Sequence, residues 1–423
     1  MSQDFDTHPT SQPPLKNIQD SIPKTVWYIG LMMFMANTAY IMIYTFCGVY
    51  LKNIAGVSFG VIGLLEGLAE FASYVTKLLS GVISDNMPRR KPLVVFGVGL
   101  AVVSRILLAF SPTVFLITLT RIMERLGNGI QATPRDALVG DITPPHRRGE
   151  AYGLKRSIAQ AGSLLGAFLG FVVMYYTNDD YLMVFFVACI PSVLAFMVLL
   201  FFVKENKGHK TSAATAEIPL PDAKRKHPIQ LKNLKRMGRS YWMIIVIAAF
   251  FMLARFSETF LNLHANKSFD LAPKLLPMVM LAYNAGYFFI SYPIGYIADR
   301  MNRYWILVIG ILMLVLSDFF LATAQNLTFF FIGAFFWGVQ LGITQNVFTT
   351  LIAETVPEDL RGTGFGIFYI VCAFSALIAD NAVGHISENF GLFHVYTYGG
   401  VIGIISLFVL TFTMGYRPKK KLI

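Results

Sequence analysis

Apolar stretches of about twenty residues or more, broken by short polar turns, recur along the whole chain. A helix rises about 1.5 Å per residue, so each stretch is long enough to cross a hydrocarbon layer of about 30 Å. The pattern predicts twelve spans, at 26–50, 57–85, 92–110, 113–140, 149–176, 180–203, 240–266, 272–299, 303–322, 326–353, 362–389 and 393–416. The fold class is therefore an all-α membrane protein. Composition agrees: 55% of the 423 residues are hydrophobic and 14% are charged, against about 25% charged in soluble domains.

The net charge of +11 would suit a nucleic-acid partner if the basic residues formed one surface. They do not. With both termini placed in the cytoplasm, most Lys and Arg fall in cytoplasmic segments, which is the orientation rule for membrane insertion. The charge thus reports topology, and no nucleic-acid partner is expected. Residues 1–25 are polar and lack an apolar core or cleavage site, so the first span directs insertion itself. Cys47, Cys189 and Cys372 lie in separate spans, which gives no disulfide framework and no metal site.

A polar stretch divides the chain into an N-terminal tail (1–25), a six-helix bundle (26–203), a cytoplasmic linker (204–239), a second bundle (240–416) and a short tail (417–423). The two bundles repeat each other. "GVISDNMPRRK" from Gly81 returns as "GYIADRMNR" from Gly295, an offset of about 214 residues that pairs Asp85 with Asp299. "GIQATPRDALVGDITPPHRRGEAYG" from Gly129 returns as "GITQNVFTTLIAETVPEDLRGTGFG" from Gly342, pairing Asp141 with Glu354 and Arg148 with Arg361. Membrane composition alone does not produce two motifs at nearly one offset. A duplicated six-helix unit does, giving two pseudo-symmetric bundles.

On these motifs the chain resembles the major facilitator superfamily over essentially its full length. "GVISDNMPRRK" is similar to that family's loop between spans two and three. "RIMERLGNG", from Arg121, resembles its fourth-span motif, with Arg125 where a glycine is usual, and "AGSLLGAFLG" is a loose form of its fifth-span motif without the proline of antiporters. "RLGNGIQATPRDALVGD" resembles a bacterial permease branch with a PRDA signature. The resemblance implies secondary transport by alternating access, a bacterial inner membrane, a monomer, no cofactor and no enzymatic activity.

The paired loop motifs have a physical reading. Each half's second span is expected to end beside the first turn of a helix from the other half, Asp85 near Gly362 and Asp299 near Gly149. A helix N-terminus favours a carboxylate. Arg89, Arg90 and Arg303 would hold it or meet lipid phosphates, Arg148 and Arg361 flank those helix starts, and Gly81 and Gly295 allow close helix approach. Such a latch would close the cytoplasmic mouth and break when the protein faces inward.

Ionisable groups at bilayer depth are costly and usually face a cavity or a partner. The fourth span carries Arg121, Glu124, Arg125, Arg135 and Asp136, whereas its duplicate has none. Glu66, Glu70 and Lys77 share a stripe of the second span, and Arg255 with Glu258 marks the seventh. Arg121 and Glu124 are the pair expected to couple proton and solute; a static ion pair is the competing reading. Lys155 and Arg156 lie nearer the cytoplasmic end. Asp318 is expected to be solvated near the outer face, and Asp380, Asn381 and His385 would form a proton relay or a helix end. Asn37, Tyr40 and Tyr44, with Gln340, Gln345 and Asn346, would line the cavity or glue helices.

No GxxxxGK[ST] phosphate loop, nucleophile–base pair or metal cluster is present, so ATP-driven transport and hydrolytic chemistry are not expected. Arginine suits paired hydrogen bonds to carboxylate or phosphate. The expected cargo is an anionic or zwitterionic organic solute, such as a carboxylate metabolite or carboxylate-type iron chelate, taken up with protons. Proton-driven efflux of a lipophilic compound is the alternative, and a non-transporting receptor a more distant one.

Overall fold

The computed structural model describes residues 22–110, 113–144, 147–205, 236–298, 301–345, 347–357 and 360–414. Among these there is no strand. The first half of the chain gives α1 (Lys24–Asn53), α2 (Phe59–Asn86), α3 (Lys91–Phe110), α4 (Val114–Ile142), α5 (Arg148–Tyr176) and α6 (Tyr181–Phe201). The second gives α7 (Arg239–Ala254), α8 (Thr259–Ser268), α9 (Leu276–Ala298), α10 (Arg303–Ala322), α11 (Leu327–Thr344), α12 (Val347–Thr355), α13 (Arg361–Asn389) and α14 (Leu392–Met414). Among the described residues, ten helical spans are long and apolar enough to cross a membrane by length and composition, counting α7 with α8 and α11 with α12. The charged α4 and the apolar α9 bring the set to twelve. Most of the N-terminal tail, the linker from 206 to 235 and the C-terminal tail lie outside the described residues.

Short turns hold these spans together because their first N–H groups are capped. Ser58, Thr113, Asp180, Asn302 and Asn326 each accept from a backbone N–H in the first turn of the following helix, which satisfies donors that no carbonyl within the helix reaches. Glu205 does the same for α3 from a distance, accepting from Arg90 and Lys91 N–H at 2.7 and 3.0 Å. Large apolar side chains such as Phe96, Phe168, Phe289, Phe374 and Phe408 point outward, as a lipid-facing exterior requires.

The duplication is visible in the packing. A Cβ on Gly129 would meet Ser73 and Thr76 of α2, and a Cβ on Gly342 would meet Tyr287 and Ile290 of α9, the matching positions of the second half. Arg90 Nε bonds Asp141 at 2.8 Å, and its counterpart Arg303 bonds Glu354 at 2.8 Å. Between the halves, α2 lies along α13, α5 meets α9, and α1 meets α8. Those contacts are tight at the end holding the α1–α2 turn, called here the far end. A Cβ on Gly63 would stand 2.3 Å from Asp380 O, and one on Gly48 2.2 Å from Thr259 Cγ2. At the other, basic end, a Cβ on Gly149 or Gly362 would meet nothing within 4 Å.

Two predicted spans are not continuous. The span expected at 240–266 stops at Ala254, and residues 255–258 leave the helix before α8 begins. Partners outside the helix allow this. Ser257 N–H donates to Asp380 Oδ1 at 2.6 Å, and Thr259 N–H donates to the Tyr44 hydroxyl at 3.1 Å. The span expected at 326–353 is divided into α11 and α12 around Asn346, which itself lies outside the described residues.

Candidate functional site

Small residues bring α2 and α4 close enough for side chains to pair across them. Gly129 lies against Ser73 and Thr76, and Gly81 lies near Thr133. One turn separates Glu66 from Glu70 and, on the neighbouring α4, Arg121 from Arg125, so two ion pairs stack in order. Arg121 Nη2 donates to both Glu66 oxygens at 3.0 and 2.9 Å, and Arg125 Nη2 lies 2.7 Å from Glu70 Oε1. Arg121 is also 3.6 Å from Glu124, but Glu124 is held more closely by Arg105 of α3, at 3.0 and 2.7 Å. Arg105 completes its bonds on Ser192 of α6. The pair expected between Arg121 and Glu124 is therefore a weak link of a larger array, because the stronger partners come from neighbouring helices.

The second half joins this array through its broken span. Ser257 Oγ donates to Glu66 Oε2 at 3.2 Å and shares a 2.8 Å hydrogen bond with Tyr44 OH. Glu258 accepts from the hydroxyls of Tyr44 and Tyr283 at 3.1 and 2.9 Å and lies 3.7 Å from Arg255. Tyr40 and Tyr44 stack with ring centres 5.1 Å apart, beneath the guanidinium groups of Arg125 and Arg121. Each cation therefore finds either an acid or an aromatic face, which limits the cost of placing charge at this depth.

Accessibility is graded. The Arg121, Glu66, Glu124 and Arg105 side chains are only 4–6% exposed, whereas Arg125, Glu70, Arg255 and Glu258 are 14–24% exposed. Hydrogen bonding is incomplete as well: Arg121 Nε and Nη1 and Arg125 Nε are buried without an acceptor.

Other expected residues serve different purposes. Asn37 donates to Ala159 O and Ser163 Oγ and so fastens α1 to α5. Gln340 is buried within the second half, and Gln345 accepts from the Tyr287 hydroxyl. Toward the basic end, Asp136 holds Lys155 at 2.5 Å and Arg135 at 3.3 Å. Asp85 bonds Arg90 of its own turn at 3.3 Å and does not reach the start of α13, where Gly362 has open space. Arg89 is exposed. Asp299 and the side chains of Arg148 and Arg361 lie outside the described residues.

Two readings change. Asp318 is not solvated: it is 1% exposed and both carboxylate oxygens lack a hydrogen-bond partner. Of the two readings of Asp380, Asn381 and His385, the relay is not assembled, since Asp380 turns inward to Ser257 while His385 is exposed. Glu66 and Glu70, which share a stripe with Lys77, pair with arginines of α4. Sequence reasoning overlooked Arg105, Ser257 and Tyr283. A lone arginine midway along a predicted span was a usable signal for the first; a serine and a tyrosine carried none.

The sequence pattern described as Major Facilitator Superfamily matches residues 29–379 and 258–422. An uncharacterised MFS-type transporter of Methanocaldococcus jannaschii is 25% identical over 402 residues, covering 92% of this chain and 95% of its own. Multidrug resistance protein MdtH of Yersinia enterocolitica is 22% identical, covering 84% and 86%. Among solved structures, a D-xylose–proton symporter aligns at a TM-score of 0.70 with 16% identity, over 95% of this chain and 99% of that one.

Proposed function

The chain belongs to the Major Facilitator Superfamily, and from that premise we propose that it is a secondary transporter carrying an anionic or zwitterionic organic solute with protons. The two bundles, 26–203 and 240–416, rock about the Arg–Glu array, and the open space beside Gly149 and Gly362 supports a cytoplasmic mouth at the basic end. Both termini are cytoplasmic in this reading.

One observation carries the choice of cargo: the buried, unaccepted N–H groups of Arg121 and Arg125. A buried donor without an acceptor is costly, and a carboxylate supplies two acceptors in the plane that a guanidinium presents. Glu70 and Glu258 stand beside these donors and can receive the ammonium of a zwitterion or a transported proton. When the solute's carboxylate competes for Arg125, Glu70 loses its cation, and its protonation follows occupancy.

Tyr44, Ser257 and Glu258 form the seal at the far side of the array, since they join α1 to the break between α7 and α8. Gly48 and Gly63 let the helices close above it. At the basic end, Asp85 is freed from α13 and rests on Arg90, the condition the broken latch requires. In the opposite state Asp85 engages the start of α13.

The kinship with MdtH favours a second reading, proton-driven export of a lipophilic compound. Uptake into proteoliposomes under an imposed pH gradient separates the two. Labelled amino-acid-like zwitterions and organic acids should accumulate, with at least a tenfold loss, on the order of 1.4 kcal/mol, in Arg125→Ala. Accumulation of lipophilic cations in inside-out vesicles, with no organic acid transported, would instead establish export.

A further inference from the structure

Asp318 takes no part in the array, yet it is as deeply buried as any acid among the described residues. It lies on α10, 1% exposed, with neither carboxylate oxygen bonded. Its surroundings explain which protonation state fits. A Cβ on Gly399 of α14 would lie 2.7 Å from Asp318 Oδ2 and 3.2 Å from Ala254 O, so the carboxyl and that carbonyl converge on one spot.

Ala254 is the last residue of α7. The carbonyls at a helix C-terminus lack intrahelical partners and carry about half a negative charge. An anionic carboxylate placed there meets like polarity without solvent; a neutral carboxyl offers an O–H to an unpaired acceptor. Among the described residues no cation pairs with it: Arg255, which directly follows Ala254, lies 3.7 Å from Glu258, and His264 of α8 stacks on Tyr396. Tyr396 faces from α14 and gives its hydroxyl to Phe260 O at 3.4 Å. α11 has no ionisable side chain, and those of α7, Arg239 and Tyr241, stand in its first turn at the opposite end. On α10 itself, Arg303 pairs with Glu354 of α12, fifteen residues or about 22 Å away along the helix.

We propose that Asp318 holds an exchangeable proton and presents it to the Ala254 carbonyl, making a proton-binding site in the second half behind the α7–α8 break. Two buried acids then brace that break in complementary roles. Asp380 accepts the Ser257 N–H on the side of the array, while Asp318 donates on the opposite side. Loss of the proton would set a carboxylate against the end of α7 and drive the break to rearrange, which links this site to Glu258 and Tyr44. The site does not depend on which solute is carried.

The test is infrared spectroscopy of the reconstituted full chain at neutral pH in water and in deuterium oxide. A protonated carboxyl has a carbonyl stretch that a carboxylate lacks. The wild-type protein should show such a band that shifts in deuterium oxide and is lost in Asp318→Asn, which retains a donor of nearly the same shape. Gly399→Ala, whose methyl would crowd Oδ2, should move the same band. An unchanged carboxyl region in Asp318→Asn overturns the proposal, as does a band that fails to exchange. Thermal stabilisation by sodium ions that Asp318→Asn abolishes would mark a metal-cation site instead and equally overturn it. If Asp318→Asn fails to fold, Gly399→Ala decides: a shifted band supports the proposal and an unchanged one overturns it.

Discussion

Arg121 shows what a single residue contributes and what a sequence can say about it. Its depth inside a predicted span marks it as a charge needing a partner, and that much was legible. Its actual partner, Glu66, lies on another helix at 2.9 Å. Helix periodicity orders residues around one axis but does not say which faces of two helices meet. The nearest acid in sequence, Glu124, was therefore the natural choice and proved secondary, because Arg105 holds it more closely. Asp318 was misplaced for a related reason: hydropathy located it near a membrane surface, while the glycines of α14 allow the bundle to close over it. Removing one partner of a buried pair leaves the other uncompensated, at a cost of about 3–5 kcal/mol. Arg121→Gln should therefore lower the thermal unfolding temperature of the purified protein. The double variant Glu66→Gln/Arg121→Gln should recover most of that loss and still not transport. Equal destabilisation by the single and double variants would show that the two side chains do not act as a pair.

At the scale of elements, span positions follow from the apolar runs, and the helices begin and end near where the pattern places them. The interruption at residues 255–258 does not follow. No proline or glycine marks it, and the flank before it is apolar. It persists because Asp380 and Tyr44, distant in sequence, replace the helical partners of Ser257 and Thr259. Local propensity cannot report a partner supplied by another helix. The fit between α2 and α13 is equally tertiary: a side chain at Gly63 would strike the Asp380 carbonyl, which has no rotamer to yield. Gly63→Val should thus hold the far end apart without unfolding either bundle. Hydrogen exchange should rise at 59–67 and 380–388 and fall near the α2–α3 turn. Unchanged exchange at both ends would mean that this contact does not set the conformation.

For the whole molecule, the repeat was the most informative feature of the sequence. It forecast two related halves, and the matched pockets of Gly129 and Gly342 and the matched ion pairs of Arg90 and Arg303 follow that pattern. Which end of the molecule is closed was not legible, since one sequence must serve both states. The described conformation packs the far end and leaves Asp85 on Arg90. The central claim is that the Arg–Glu array borders a path open to one side at a time. Its most direct test is a protein with Cys47, Cys189 and Cys372 replaced by serine and a single Tyr40→Cys, treated with a membrane-impermeant thiol reagent from each face of oriented vesicles. The thiol should react from the face bearing the α2–α3 turn, and adding Gly63→Val should transfer that reactivity to the opposite face. A thiol that reacts from neither face in either background would mean the array is sealed within the protein, and the account would be wrong.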